Sequence, residues 1–167
     1  MNRFFRHYYE HLCIYDYRML EDLEKEELNT DLFRREGDFI ISKMDDRLRK
    51  CVSDEEVIRV PDGVRSIGYD VFNERNCPNV KHVIFPESVE GICPYAAMSP
   101  TLEEITLNNR YIYISDEAFE HCRWLRFIHH VPERCTIHVG YVAREGLGTI
   151  RIVPINVPEY EEEDLPF

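Results

Sequence analysis

The sequence predicts an α+β chain. Residues 37–154 read as a short solenoid of stacked coils with a parallel β-sheet, residues 1–36 as a helical cap before it, and residues 155–167 as an acidic tail. Three observations carry this expectation. Aliphatic pairs nine residues apart recur about every 23 positions, as Ile58/Ile67, Val83/Ile92, Ile105/Ile114 and Ile128/Ile137, with Ile150 one step further. Other landmarks keep phase with them: Val80, Leu102, Leu125 and Leu147 lie three residues before a first member, and Phe72, Ala97, Phe119 and Val142 lie five after a second. The N-terminal stretch follows a three- and four-residue period instead. A fixed period of this size marks coils that bury their apolar faces only by stacking.

The helical expectation covers residues 3–28. Phe4, Tyr8, Leu12, Tyr15, Met19 and Leu23 line one face, and Glu21, Asp22, Glu24, Glu26 and Glu27 lie on or near the other. Asn29 and Thr30 end the run. A solenoid end exposes an apolar coil edge, so a terminal cap is required for solubility. The aromatic cluster Phe4, Phe5, Tyr8, Tyr9, Tyr15 and Tyr17 exceeds what one helix face buries. Contact with a partner is therefore a second reading of the same segment.

Residues 38–54 read as an imperfect first coil. Asp38–Ile41 and Arg47–Val52 are strand candidates, and Asp45-Asp46 between them suggests a hairpin turn. In the regular coils the main strand reads L-x-x-I-x-L, as Leu102-Glu103-Glu104-Ile105-Thr106-Leu107. Its fourth and sixth residues share one face, because side chains alternate along a strand. Pro61 and Pro86 follow the strand directly, and Pro132 and Pro154 follow after one extra residue. Proline lacks an N–H and so ends the ladder. Pro61-Asp62-Gly63 adds turn chemistry, with glycine free to take positive φ.

The stretches Val60-Pro61-Asp62-Gly63-Val64-Arg65-Ser66-Ile67-Gly68 and Ile114-Ser115-Asp116-Glu117-Ala118-Phe119-Glu120-His121-Cys122 resemble the BspA-type leucine-rich repeats, over roughly residues 38–154. The second is similar to the family's I-G-x-x-A-F-x-x-C core. The chain departs from the pattern at Glu55 (an apolar position), at Ala97 (an aromatic one), at Pro100 (where Cys77 and Cys122 stand) and in the fourth coil, which keeps Ile137 but lacks the A-F pair. The resemblance implies a right-handed solenoid, interaction with other molecules and no catalytic residues.

Composition narrows the function classes. The net charge is −12, and five acids with no base fall in residues 155–167. Nucleic-acid binding needs cations to neutralise phosphates, so direct binding is not expected. A basic protein partner would suit this charge. The acidic tail reads as solvated chain, or else as a short docking motif through Tyr160, Leu165 and Phe167. No run of 18 apolar residues predicts a membrane helix, and the charges at Arg3, Arg6 and Glu10 do not suit a signal peptide. A cytoplasmic setting is the expectation. Of the six cysteines, Cys77 and Cys122 hold matching repeat positions, which favours small buried thiols over a disulfide framework.

With the strands phased as above, two rows face away from the interior. One is Val57, His82, Glu104, Phe127 and Thr149; the other is Arg59, Ile84, Thr106, His129 and Arg151. Stacking about 4.8 Å apart turns each row into a ladder. Within them Val57, Arg59, His82, Ile84, Glu104, Phe127, His129 and Arg151 are the candidate partner-binding residues. An aromatic and an arginine among aliphatics is a composition common at interface hot spots. The ordinary alternative is a solvated sheet face.

His129, His130 and His138 do not form a metal site on this reading, because adjacent strand residues point to opposite faces. No glycine-rich phosphate loop, G-x-S-x-G elbow or H-E-x-x-H pattern occurs. The sequence thus predicts a non-enzymatic protein-interaction module without a cofactor, binding through the sheet face, the aromatic cap or both. The runner-up is an acidic inhibitor that mimics nucleic acid to block an enzyme, as phage or mobile-element counter-defence proteins do.

Overall fold

The computed structural model describes residues 30–109, 111–115 and 117–130, and the backbone of strands over 136–139 and 151–154. The helix expected over residues 3–28 and the acidic tail lie outside the described residues.

The first described elements form an antiparallel hairpin stack. β1 (Phe33–Glu36) pairs with β2 (Phe39–Ser42), and β2 pairs with β3 (Arg47–Cys51). Gly37, at φ +55°, makes the first turn, and Asp46, at φ +52°, the second. Asp is among the few residues that visit the left-handed region routinely, so the Asp45-Asp46 turn forms where the sequence places it. Residues 33–36, within the interval assigned to the cap, are thus strand. Arg47, 1% exposed, is paired with Asp45 across this turn.

From β3 the chain winds into coils of three sides. The main side carries β4 (Val57–Arg59), the second β5 (Ser66–Ile67) and the third β6 (Phe72–Asn73). The next coil repeats them as β7 (His82–Phe85), β8 (Gly91–Ile92) and β9 (Ala97–Met98). β10 (Glu104–Leu107) and β11 (Tyr111–Ile114) follow, then β12 (Phe127–His130), β13 (Thr136–Val139) and β14 (Arg151–Pro154). The main strands form one five-stranded sheet in the order β14-β12-β10-β7-β4. The second-side strands continue the hairpin into a seven-stranded sheet, β1-β2-β3-β5-β8-β11-β13, and β6 pairs with β9. All pairings within the coils are parallel.

The interior is filled by the phased residues. Ile58, Val83, Ile105 and Ile128 lie side by side on consecutive rungs, each at most 2% exposed. Ile67, Ile92 and Ile114 stack likewise on the second side, and Phe72 lies opposite Ala97 on the third. Each fully buried aliphatic contributes roughly 1.5–3 kcal/mol relative to exposure. Turn chemistry sets the corners. Gly63 takes φ +91°, and its amide donates to Ser88 Oγ of the next coil at 3.0 Å. Asp70 and Tyr95, both at φ +53°, turn the same corner in successive coils, the Asp70 amide donating to the Tyr95 carbonyl at 2.8 Å.

Two expected alignments are corrected by two residues. On the main side Ile128 lies opposite Ile152, not Ile150. On the second side Ile114 lies opposite Val139, and Ile137 lies opposite Ile112. One lengthening of the coil by two residues between β12 and β13 accounts for both. A shift of two keeps every residue on its own face of the sheet, whereas a shift of one would invert them all. Alternation around Ile137-His138-Val139 and Ile150-Arg151-Ile152 cannot distinguish the two registers.

Cys51, Cys77, Cys93 and Cys122 are buried free thiols. Cys77 Sγ donates to the Cys51 carbonyl at 3.4 Å, and Cys122 Sγ to the Ala97 carbonyl at 3.3 Å. Counted back from the main strand, Ser99 rather than Pro100 takes their place in the intervening coil: Ser99 is buried and Pro100 exposed. Ser99 Oγ accepts from the Leu102 amide at 3.2 Å, so a small polar group fills the corner in all three coils.

Candidate interaction face on the parallel sheet

Strand alternation decides what the five-stranded sheet shows to solvent. On β7 and β10 the burial pattern alternates strictly, with Val83, Phe85, Ile105 and Leu107 inside. His82, Ile84, Glu104 and Thr106 are left half-buried on the outer face. On β4, Val57 and Arg59 are exposed on either side of buried Ile58. Phe127 and His129 are half-buried outside β12.

Register fixes the ladders. Val57, His82, Glu104 and Phe127 form one row, and Arg59, Ile84, Thr106 and His129 the other. Arg151 changes row: the two-residue shift sets it opposite Phe127, with Val153 opposite His129. Thr149, expected opposite Phe127, lies outside the described residues.

The rows are stitched together diagonally at the centre. His82 Nε2 lies 2.7 Å from Thr106 Oγ1, one rung on and in the other row. His129 Nε2 lies 2.9 Å from Glu104 Oε2, one rung back and again across rows. The two imidazoles thereby meet over β10, with ring centroids 6.0 Å apart. Phe127 stacks on His129 at 5.9 Å, so the ring chain runs from His82 to Phe127. Burial pushes the His82 imidazole below its ordinary pKa. The carboxylate of Glu104 opposes that shift, while His129 and Arg59 reinforce it. His82, Thr106, Glu104 and His129 are therefore each held by a neighbour on an adjacent coil, and Val57, Ile84 and Phe127 supply apolar surface between the polar groups.

Below this face runs a rim of alternating charge: Glu56, Lys81, Glu103 and Arg126, each two residues before a core position. Lys81 Nζ contacts Glu56 Oε1 at 2.8 Å, and Glu103 attracts Lys81 from the other side. Sequence reasoning missed the end of this rim, where the Arg126 guanidinium lies over the exposed Trp124 ring at 5.5 Å. It also missed the ring chain on the third side, where Tyr69 meets Tyr95 edge to face at 6.1 Å and Tyr95 stacks on His121 at 6.0 Å. Coils of unequal length put these residues out of phase with the aliphatic repeat, so no periodic signal marks them.

The five-rung sheet, the buried landmarks and the cysteine corners repeat through the same segment that matches a known repeat family. Six copies of the BspA type leucine-rich repeat region are matched over residues 48–153. The chain belongs to that family. That family suggests a protein-interaction module and is generally non-enzymatic. The match begins at Leu48, inside β3, so the last strand of the hairpin already counts as repeat. Comparison with the curated proteins and with the solved structures gives no match.

Proposed function

We propose that this BspA-type repeat chain is a non-enzymatic module that takes a partner protein on the outward face of its five-stranded sheet. One observation carries the reading. Val57, Ile84 and Phe127 stand outside a parallel sheet among His82, His129, Glu104 and Arg59, on adjacent rungs. Apolar surface anchored by fixed polar groups is the make-up of an interface centre, where desolvation gives affinity and hydrogen bonds give selectivity. Arg151, at the far end of the same row, extends the proposed contact. The net charge of −12 favours a basic partner, met in a cytoplasmic setting.

The nucleic-acid mimic gains no support from the rim, where carboxylates alternate with cations from Glu56 to Arg126 among the described residues. A mimic of phosphate spacing needs one sign along its length.

Affinity capture from the native cytoplasm tests the reading. Phe127→Ala and Ile84→Ala should each weaken capture of a partner by about tenfold, while Glu74→Ala on the third side should not. Full capture by both face variants would contradict the proposal.

A further inference from the structure

The two long sheets end differently on the N-terminal side. β3 continues the seven-stranded sheet beyond β5, with Leu48 opposite Ile67. Among the described residues the five-stranded sheet stops at β4, whose one neighbour is β7. Hydrogen bonds say which groups of β4 are engaged. The Glu56 carbonyl accepts from the Lys81 and His82 amides at 2.8 and 3.0 Å, and the Val60 amide donates to the Ile84 carbonyl at 3.0 Å. In a parallel ladder, alternate residues bond to the same neighbour. Residues 56, 58 and 60 therefore turn to β7, and the N–H and C=O groups of Val57 and Arg59 point off the edge. Among the described residues no backbone or side-chain group meets them. A row of free backbone groups is a template for another strand.

The surrounding side chains narrow the occupant. Asp54, Glu55 and Glu56 form an exposed acidic run just before β4. Lys81 engages Glu56, while Asp54 and Glu55 have no cationic partner among the described residues. Val52 and Val57, 51% and 46% exposed, flank the run. A second copy, itself at net charge −12, would bring its own acidic run to this acidic edge against like charge.

We propose that the β4 edge, which no described residue covers, takes an extended segment of a partner protein as an added strand, basic where it meets Asp54 and Glu55 and apolar where it meets Val52 and Val57. Main-chain hydrogen bonds to Val57 and Arg59 supply the affinity, and the flanking side chains supply the selectivity. This rests on the reading of the chain as an interaction module, and adds a second docking position and the chemistry of what fills it.

The probe is a synthetic heptapeptide of alternating lysine and valine, with a glutamate–valine heptapeptide as control. Each is titrated into the full, isotope-labelled chain and followed by amide resonances. The lysine peptide should shift the Val57 and Arg59 amides and the glutamate peptide should not. Val57→Pro removes the outward N–H at an edge position that tolerates proline, and should weaken binding about tenfold with an unchanged thermal melt. Asp54→Lys with Glu55→Lys, which leaves the backbone alone, should weaken it as well. Equal binding of both peptides, undiminished binding to these variants, or no saturable shift at β4 would overturn the proposal. Self-association that Val57→Pro abolishes would also overturn it, in favour of a second copy. Shifts confined to His82, Ile84, Phe127 and His129 would overturn the edge but leave the sheet face standing. Capture by the Phe127→Ala and Ile84→Ala variants reads the face separately, so each proposal can fail alone.

Discussion

Glu104 holds His129 across one coil of the solenoid, with Oε2 and Nε2 2.9 Å apart although 25 residues separate them in the chain. The same glutamate attracts His82 from the preceding coil. One carboxylate therefore organises two imidazoles whose rings lie 6.0 Å apart. Stacking makes this possible, because residues a full coil apart become neighbours on a rung.

That arrangement makes stability depend on acid. Burial lowers the His82 pKa, with His129 and Arg59 acting the same way and Glu104 against them. The folded chain thus holds the His82 proton less tightly than the unfolded chain. Its contribution is present above the ordinary histidine pKa of about 6.5 and is lost as pH falls through the lowered folded value. Thermal melts recorded from pH 7.5 down to 5 should show a decline in Tm, and His82→Gln should flatten part of it. An unaltered decline in the variant would contradict the assignment.

Core rungs and face rungs should differ sharply in cost. Ile105 is fully buried between Val83 and Ile128, so Ile105→Ala should destabilise by about 3–4 kcal/mol in urea denaturation. Ile84→Ala, one residue from Val83 but on the outer face, should cost about 1 kcal/mol or less. Similar values for the two would mean that the strand is phased wrongly.

Gly63 gives a test of the corner. It sits at φ +91°, and a Cβ added there would meet nothing within 4 Å. The penalty for Gly63→Ala is therefore conformational, about 1–2 kcal/mol, without steric clash. An unchanged unfolding free energy would show that the turn is not held in this conformation.

The buried thiols should be chemically silent in the native state. Burial pushes the Cys122 thiol up to about 11. Cys51 is raised as well, first by its hydrogen bond to Cys77 and then by burial. Alkylation at pH 8 followed by peptide mass analysis should leave Cys51, Cys93 and Cys122 unmodified until urea is added. Rapid native labelling of any of them would contradict their burial.

Much of this architecture is legible in the sequence because a solenoid writes its core as a period. Ile58, Val83, Ile105 and Ile128 mark the rungs by spacing alone, and alternation then assigns Val57, Ile84, Glu104 and Phe127 to the outside. What escapes is whatever leaves the period intact. The register of Val139 and Ile152 differs by two residues from the expected one, and a shift of two preserves side-chain facing. Ser99 fills the cysteine corner with a group of similar size, so no spacing of cysteines marks it and its neighbour Pro100 takes the place in the sequence reading. The diagonal contacts from His82 to Thr106 and from Glu104 to His129 need rotamers, which no spacing encodes.

The stacking itself is tested most directly by methyl NOEs in a selectively labelled sample. Cross-peaks should link Val83 to Ile105 and Ile105 to Ile128, residues 22 and 23 apart in the chain and adjacent on rungs. Absence of those cross-peaks, with Ile105 instead contacting only residues near it in sequence, would contradict a solenoid and with it every face described above.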